Sequence, residues 1–525
     1  MTRTRKRLLY CLLAIAAVAG CVYVYYAIRN AYYQSQLNEV IAALDAREPG
    51  WRWEDRFAKL PKVEKEQSLA EELRKLMRLL AIDDQRNLLG RTAWGNEFDR
   101  IEVSPFFETE RNYYLNHPNA ILDSDFINTY SALHQMEPGP EALQRLLKLN
   151  NKQVALFEHK YSEMLYFTLL RDVQATRSLV TFLRWKAALL LEANDAEEAA
   201  RHISAMLMIS RVYDNDPFWV CQLIRAAELQ MTTHATQRLL AQSTTTSPAT
   251  LKRLQEEFTT YEKYITSIDE LLRWDRAFLD HDLAEIEKFG VGNHFFNIAK
   301  KYRIANKVYT NIQWIDDTIL RINPLFMLET WERPRHLAIE RKETLEYFDR
   351  VLQWAHSPEH ELLSRYQAMK TERPGLPPFV YALLNVAGNA YSLKDYRDRS
   401  YNQVERIAKT HLTMRAQCRA IATALAAERF RLDRQRWPTS LQEMVPKYLA
   451  TVPLDPFTGK PLLMMQQADG ITIYSVGTNG IDQQGTVFPV DKQYENDIGY
   501  RLWNPDKRRA DHSKEIKKAL EDSSK

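Results

Sequence analysis

Cysteine and glycine are both scarce, and neither sign of charge prevails. The chain has 4 cysteines and 15 glycines among 525 residues. Cys11 and Cys21 lie in the one long apolar run, so only Cys221 and Cys418 stand elsewhere. Both fall on apolar helical faces. Buried free thiols are one reading, and a single disulfide in an oxidising compartment is the other. The formal net charge is only +3, with acids and bases interspersed. No basic stripe stands out, so nucleic acid is not expected as a partner. Equally absent are a P-loop, a glycine-rich dinucleotide fingerprint and a Ser-His-Asp order. No catalytic residue is assigned on sequence grounds.

What is present begins with a membrane signal. Residues Leu8 to Ile28 carry no charge and are mostly apolar. As a helix at 1.5 Å per residue this run spans roughly 31 Å, enough for a bilayer core. Arg3, Arg5, Lys6 and Arg7 precede it, and Arg29 alone follows closely. That bias puts the N-terminus in the cytoplasm and the rest outside. The expectation is a single-pass protein of a bacterial inner membrane, with the bulk of the chain in the periplasm. A cleaved signal peptide is one rival. The other is a lipoprotein, because Val18-Ala19-Gly20-Cys21 reads as a lipobox with Cys21 as the lipidated residue.

From Gln34 to Ile407 the pattern is helix after helix. Proline and glycine cluster at breaks, as in Pro49-Gly50, Pro138-Gly139-Pro140, Asp216-Pro217 and Pro374-Gly375-Leu376-Pro377-Pro378. Asp195 and Glu198 suit a capping box, and Asp216-Pro217, Ser247-Pro248 and Ser357-Pro358 suit helix starts. Phe182 to Ile209 reads as a helical hairpin with Ala199, Ile203 and Met206 on one face. No second copy follows at a period near 34 residues, so a repeat array is not indicated. Trp185, Trp219 and Trp274 fall at core spacing.

Two histidine clusters invite a metal reading. His356-Ser357-Pro358-Glu359-His360 fits H-x-x-E-H, but Pro358 makes the segment a helix start rather than one continuous helical face. In Asp280-His281-Asp282 with Glu285, the stripe Leu279, Leu283 and Ile286 leaves the polar residues on a solvated face.

After His411 the texture changes from helical to strand and turn. Met414, Cys418, Ile421, Leu425 and Ala426 share one helical face. That helix is expected to pack against strands around Pro461–Met465 and Gly470–Tyr474, with Ala468-Asp469-Gly470 as the hairpin turn. Alternation in Gly470–Tyr474 predicts a half-buried strand. Beyond it, Asn479, Asp482, Asp491, Asn496 and Asp497 supply oxygens among the turn glycines Gly477, Gly480 and Gly485. Ca²⁺ takes six to eight such ligands, yet the same residues form turns without any metal.

The quoted pieces come in a recognisable order: Trp437-Pro438-Thr439-Ser440-Leu441, Asp455-Pro456-Phe457-Thr458-Gly459-Lys460-Pro461, Tyr474-Ser475-Val476-Gly477-Thr478-Asn479-Gly480 and Asn496-Asp497-Ile498. This region resembles the soluble domain of type II secretion pseudopilins, especially the major one. The resemblance implies a long helix on a small sheet and a calcium-holding loop, with Asn479, Asp482 and Asp497 as the metal ligands here. Asn479 stands where the family has an acid. The prepilin cleavage site and the glutamate-containing helix of fibre subunits are not attached to this domain. The whole layout, with Glu48-Pro49-Gly50-Trp51 soon after the anchor, also resembles a group of large anchored exported bacterial helical proteins that bring no activity with them.

The expected fold is mainly α: an N-terminal transmembrane helix, a long irregular helical body and a small C-terminal α+β pseudopilin-like module. The expected boundaries are 1–29 for the lead and anchor, 30–405 for the body (in two parts if broken near 245), 406–505 for the module and 506–525 for a charged tail. The function this implies is an extracytoplasmic scaffold or interaction protein meeting the membrane and other envelope proteins. The alternative is an accessory of a type II secretion or pilus-like machine.

Overall fold

The structure is a computed structural model that describes residues 3–80, 93–102, 104–157, 165, 171–214, 216–289, 324–369, 393–488 and 496–523. It is mainly helical, with one small sheet near the C-terminal end. In chain order the helices are α1 (Arg3–Arg47), α2 (Trp53–Ala58), α3 (Leu69–Leu79), α4 (Ala93–Glu102), α5 (Pro105–Asn116), α6 (Ser124–Gln135), α7 (Gly139–Leu146), α8 (Arg171–Glu192), α9 (Ala196–Ser210), α10 (Trp219–Gln242), α11 (Pro248–Lys263), α12 (Ile268–Phe289), α13 (Pro324–Trp354), α14 (Glu359–Met369), α15 (Leu393–Arg434) and α16 (Ser513–Ser523). The strands are β1 (Leu463–Gln467), β2 (Gly470–Ser475) and β3 (Ile498–Trp503). The segment 370–392, with its Pro374–Pro378 cluster, lies outside the described residues.

Helix α1 is a single run of 45 residues. In its first part Tyr10, Leu13, Val18, Tyr23, Val24, Tyr25 and Ile28 are exposed. Its last turns bury Leu37 and Leu44, with Trp51 beyond them, against Ala338 and Leu345 of α13. Among the described residues no helix is long and apolar enough to cross a membrane. Residues 1–9 and several others of the apolar run have side chains outside that description.

Local chemistry accounts for several helix starts. Asp195 accepts the Glu198 amide at 3.1 Å, and Ser247 accepts the Thr250 amide at 3.1 Å with Pro248 in the first turn. Each cap satisfies one of the orphan N–H groups of a helix start. The reciprocal half of the capping box is replaced: Glu198 pairs with Arg201 at 2.9 Å. Asp216 accepts the Phe218 amide at 2.9 Å, so α10 opens two residues later than Pro217 suggests. The hairpin α8–α9 forms as expected, turning at Asn194 with φ +60°, and Ala199, Ile203 and Met206 are buried.

Helix α10 is the central strut, touching α8, α9, α15 and β3. Both its apolar residues Cys221, Leu229 and Leu239 and its polar residues Gln222, Arg225, Glu228, Thr232 and Thr236 are buried. A helix covered on all sides loses the one-sided pattern of a surface helix. Cys221 and Cys418 are free and buried, which settles the disulfide alternative against pairing in this structure. Burial pushes both thiols well above the ordinary thiol range.

The sheet is antiparallel, in the order β1-β2-β3, with Met464 opposite Ile473 and Ile471 opposite Leu502. Helix α15 lies chiefly on β2 and β3, not on β1 and β2 as expected. Its Ile421 and Leu425 share a core with Ile471, Ile473, Tyr500 and Leu502. Strand β2 is buried at every position rather than half-buried. The reason is the loop after Gly477, which returns over the outer face. A Cβ on Gly485 would sit 3.3 Å from Thr472 and Tyr474. The opposite side of α15 meets α10 and α11. The segment after Trp503 is tied down as well: α16 lies against α5, and Arg508 and Arg509 reach Glu428 and Glu192.

Candidate functional site

The two histidine clusters are engaged in contacts within the fold. His356 and His360 flank the break between α13 and α14. His356 is exposed, and His360 lies so close over Gly459 that a Cβ there would meet its ring at 2.6 Å. Glu359 is committed to Arg415 and Arg419, the latter at 2.9 Å. Asp280-His281-Asp282 departs from the solvated face expected of it. Asp280 and Asp282 are buried, because α13 supplies Arg341 to Asp280 at 2.6 Å and the Leu165 amide donates to Asp282 at 2.7 Å. His281 reaches Glu54 at 2.8 Å.

The calcium candidates all lie in the loop over the sheet, but they face different partners. Asn479 accepts the Ile481 amide at 2.9 Å. Asp482 is exposed and accepts the Gln484 amide at 2.7 Å and the Tyr474 hydroxyl at 3.0 Å. Asp497 is buried, and its two oxygens accept the Gln483 amide at 3.2 Å and the Gly485 amide at 2.8 Å. Burial raises its pKa against those amides, which pull it down. Asp491 and Glu495 lie outside the described residues. Among the described residues no group of three or more His, Cys, Asp or Glu could hold a metal ion. Among the described residues the Asp497 carboxylate and these two amides hold the loop together. Asp497→Ala is therefore expected to lower stability by about 1–3 kcal/mol, the cost of leaving buried amides unpaired. Urea unfolding in EGTA and in millimolar Ca²⁺ checks this. A loss seen only when calcium is present would place a metal in this loop.

The Asp455 turn is held in the same manner. Its buried carboxylate accepts the Phe457 and Val476 amides and the Ser475 hydroxyl at 2.8–3.0 Å. That joins the Asp455–Pro461 turn to the end of β2. Cys21, the lipidation candidate, is exposed on α1.

A polar cluster gathers at the foot of α1, where the Glu48-Pro49-Gly50-Trp51 motif lies. Gly50, at φ +77°, ends the helix in a conformation suited to glycine. Glu48 then meets Arg273 at 2.5 Å and Arg276 at 2.7 Å on α12. Burial raises the Glu48 carboxyl, but hydrogen bonds from Arg276 and Arg273 outweigh it and hold the group below its ordinary value. Asp349 of α13 pairs with Arg47 and lies 3.7 Å from Arg276. Trp51 is fully buried and donates to Asp45 at 2.9 Å, with Arg276 over its ring at 5.3 Å. Beside the Glu48-Pro49-Gly50-Trp51 motif, the sequence signal is the i,i+3 spacing of Arg273 and Arg276, which puts both on one side of α12. Their partners are distant in the chain, so local pattern could not supply them.

No family model matches the chain, and neither a curated protein nor a solved structure matches it.

Proposed function

We propose that this protein is a membrane-anchored, extracytoplasmic helical scaffold whose C-terminal module, similar to a pseudopilin soluble domain, serves as a folding and docking unit. The observation that carries the reading is the division of α1. Its first part exposes Tyr10, Leu13, Val18, Val24 and Ile28, while its foot is locked into the body by Leu37, Leu44, Trp51 and Glu48. A continuous helix with an apolar end in the bilayer and a keyed end in the body would hold that body at a fixed attitude to the membrane. The uncharged run from Leu8 to Ile28 and its basic lead support the same orientation.

The coverage of α15 favours the scaffold over a fibre subunit. A subunit added to a fibre must offer a helical face to its neighbours. Here the sheet covers one side of α15, and α10 and α11 cover the other.

The test is labelling with a membrane-impermeant maleimide in cells whose outer membrane has been permeabilised. Ser513→Cys is expected to react from outside, and Thr4→Cys only after lysis. Protection of Ser513→Cys would reverse the topology. Diacylglycerol found on Cys21 would establish the lipoprotein.

A further inference from the structure

We propose that the cleft at the foot of α1 binds a carboxylate carrying a short apolar group, either a small free acid or the C-terminal residue of a peptide. The cleft has a volume of about 270 Å³ and opens where α1, α12 and α13 meet. That is near the lower limit of small-molecule sites, room for one short residue rather than a cofactor. Arg47, Arg273 and Arg276 line it, with Leu352 as the apolar wall and Gln353 at its edge.

Arg276 is the informative residue. Its side chain is fully buried. Nη2 lies 2.7 Å from Glu48, but Nη1 stands 3.7 Å from Asp349, and neither Nε nor Nη1 has a hydrogen-bond acceptor. A buried guanidinium with unspent donors is costly, and an arriving acceptor recovers part of that cost. The planar fork matches a carboxylate, which can take two parallel N–H donors. Glu48 and Asp349 stay in the lining, so a phosphate dianion would meet more repulsion than a monoanion. Arg47 is the movable gate, being more than half exposed and bonded only to Asp349 across the cleft. On binding, Arg47 swings from Asp349 towards the ligand, and Arg276 gains the acceptor that it lacks. Leu352 then contacts the ligand's apolar group.

Calorimetric titration of the full-length protein in detergent at low ionic strength tests this. The probes are acetate, isovalerate, inorganic phosphate, and the tripeptide Ala-Ala-Leu with a free or an amidated C-terminus. Saturable binding of isovalerate, of the free tripeptide, or of both is expected, with affinity above that for acetate. Binding of isovalerate alone assigns the free acid, and binding of the tripeptide alone assigns the peptide end. Gln353→Glu, an exposed change outside the ion pairs, should weaken binding about tenfold or more by adding a like charge at the rim. Arg47→Ala should do the same. The proposal is overturned if no carboxylate saturates below about 10 mM. It is equally overturned if phosphate or the amidated peptide binds as well as the free acids, or if both variants bind like the parent.

Discussion

Glu428→Gln is expected to cost about 3–5 kcal/mol, the scale for breaking a buried ion pair by removing one partner. Glu428 is 3% exposed and lies between two arginines. Arg431 donates to it at 2.7 and 2.9 Å, and Arg508 at 2.8 and 3.0 Å, each with two nitrogens. Arg508 also donates to the carbonyls of Trp503 and Ser243. One carboxylate thus gathers the end of β3, the end of α10 and the body of α15. Glutamine keeps the shape but removes the charge, leaving two buried guanidiniums with one neutral acceptor. The loss should appear as an earlier chemical-unfolding midpoint of the full-length protein. Glu428→Leu combined with Arg431→Met and Arg508→Met should recover much of it, because desolvating three charges is itself expensive. A single Glu428→Gln variant within about 1 kcal/mol of the parent would show that the network is solvated and weak.

These residues also show where the sequence stops being readable. Asp195 and Ser247 were legible as caps because a cap is a local event, complete within four residues. The β1–β2 hairpin was legible for the same reason, since Ala468-Asp469 closes it. Strand β3 was not expected, because its pairing partner is set by a long loop rather than by a turn. The loop's return over Thr472 and Tyr474 was equally invisible, and with it the burial of both faces of β2. Asp280 and Asp282 depart from the solvated face expected of them because a helix covered by a second helix looks, residue by residue, like one facing water. The lock at Glu48 depends on Arg273, Arg276 and Asp349, three positions that no periodicity links to it. The charge of the 506–525 tail is legible in the sequence, but not that Arg508 and Arg509 end in buried or half-buried ion pairs.

Glu228→Gln is expected to stabilise the protein by about 3 kcal/mol near neutral pH, the second large effect. Glu228 is fully buried on α10, and neither carboxyl oxygen has a hydrogen bond of good geometry. Thr176 of α8 gives it polar support, Arg225 and Arg177 are the cations that act on it, and it acts in turn on Tyr213. Burial outweighs them and pushes the carboxyl up to about 8, from an ordinary value of 4.5. The sign follows from proton uptake. Below the unfolded value both states hold the proton, and the group costs nothing. Between the unfolded and folded values the unfolded chain is ionised while the folded chain keeps its proton, so stability falls as pH rises. Above the folded value the loss is complete. Glutamine mimics the protonated acid and has no such dependence. The measurement is the difference in unfolding free energy between parent and variant from pH 5 to 8.5. Taking the difference removes Glu110, also pushed up to about 8, and Asp275, pushed up to about 7, since both variants keep them. The gap should open steadily above pH 5 and level off beyond pH 8. Parallel curves would mean that Glu228 is ionised in the folded protein, held by Arg225 and Arg177 as a true ion pair.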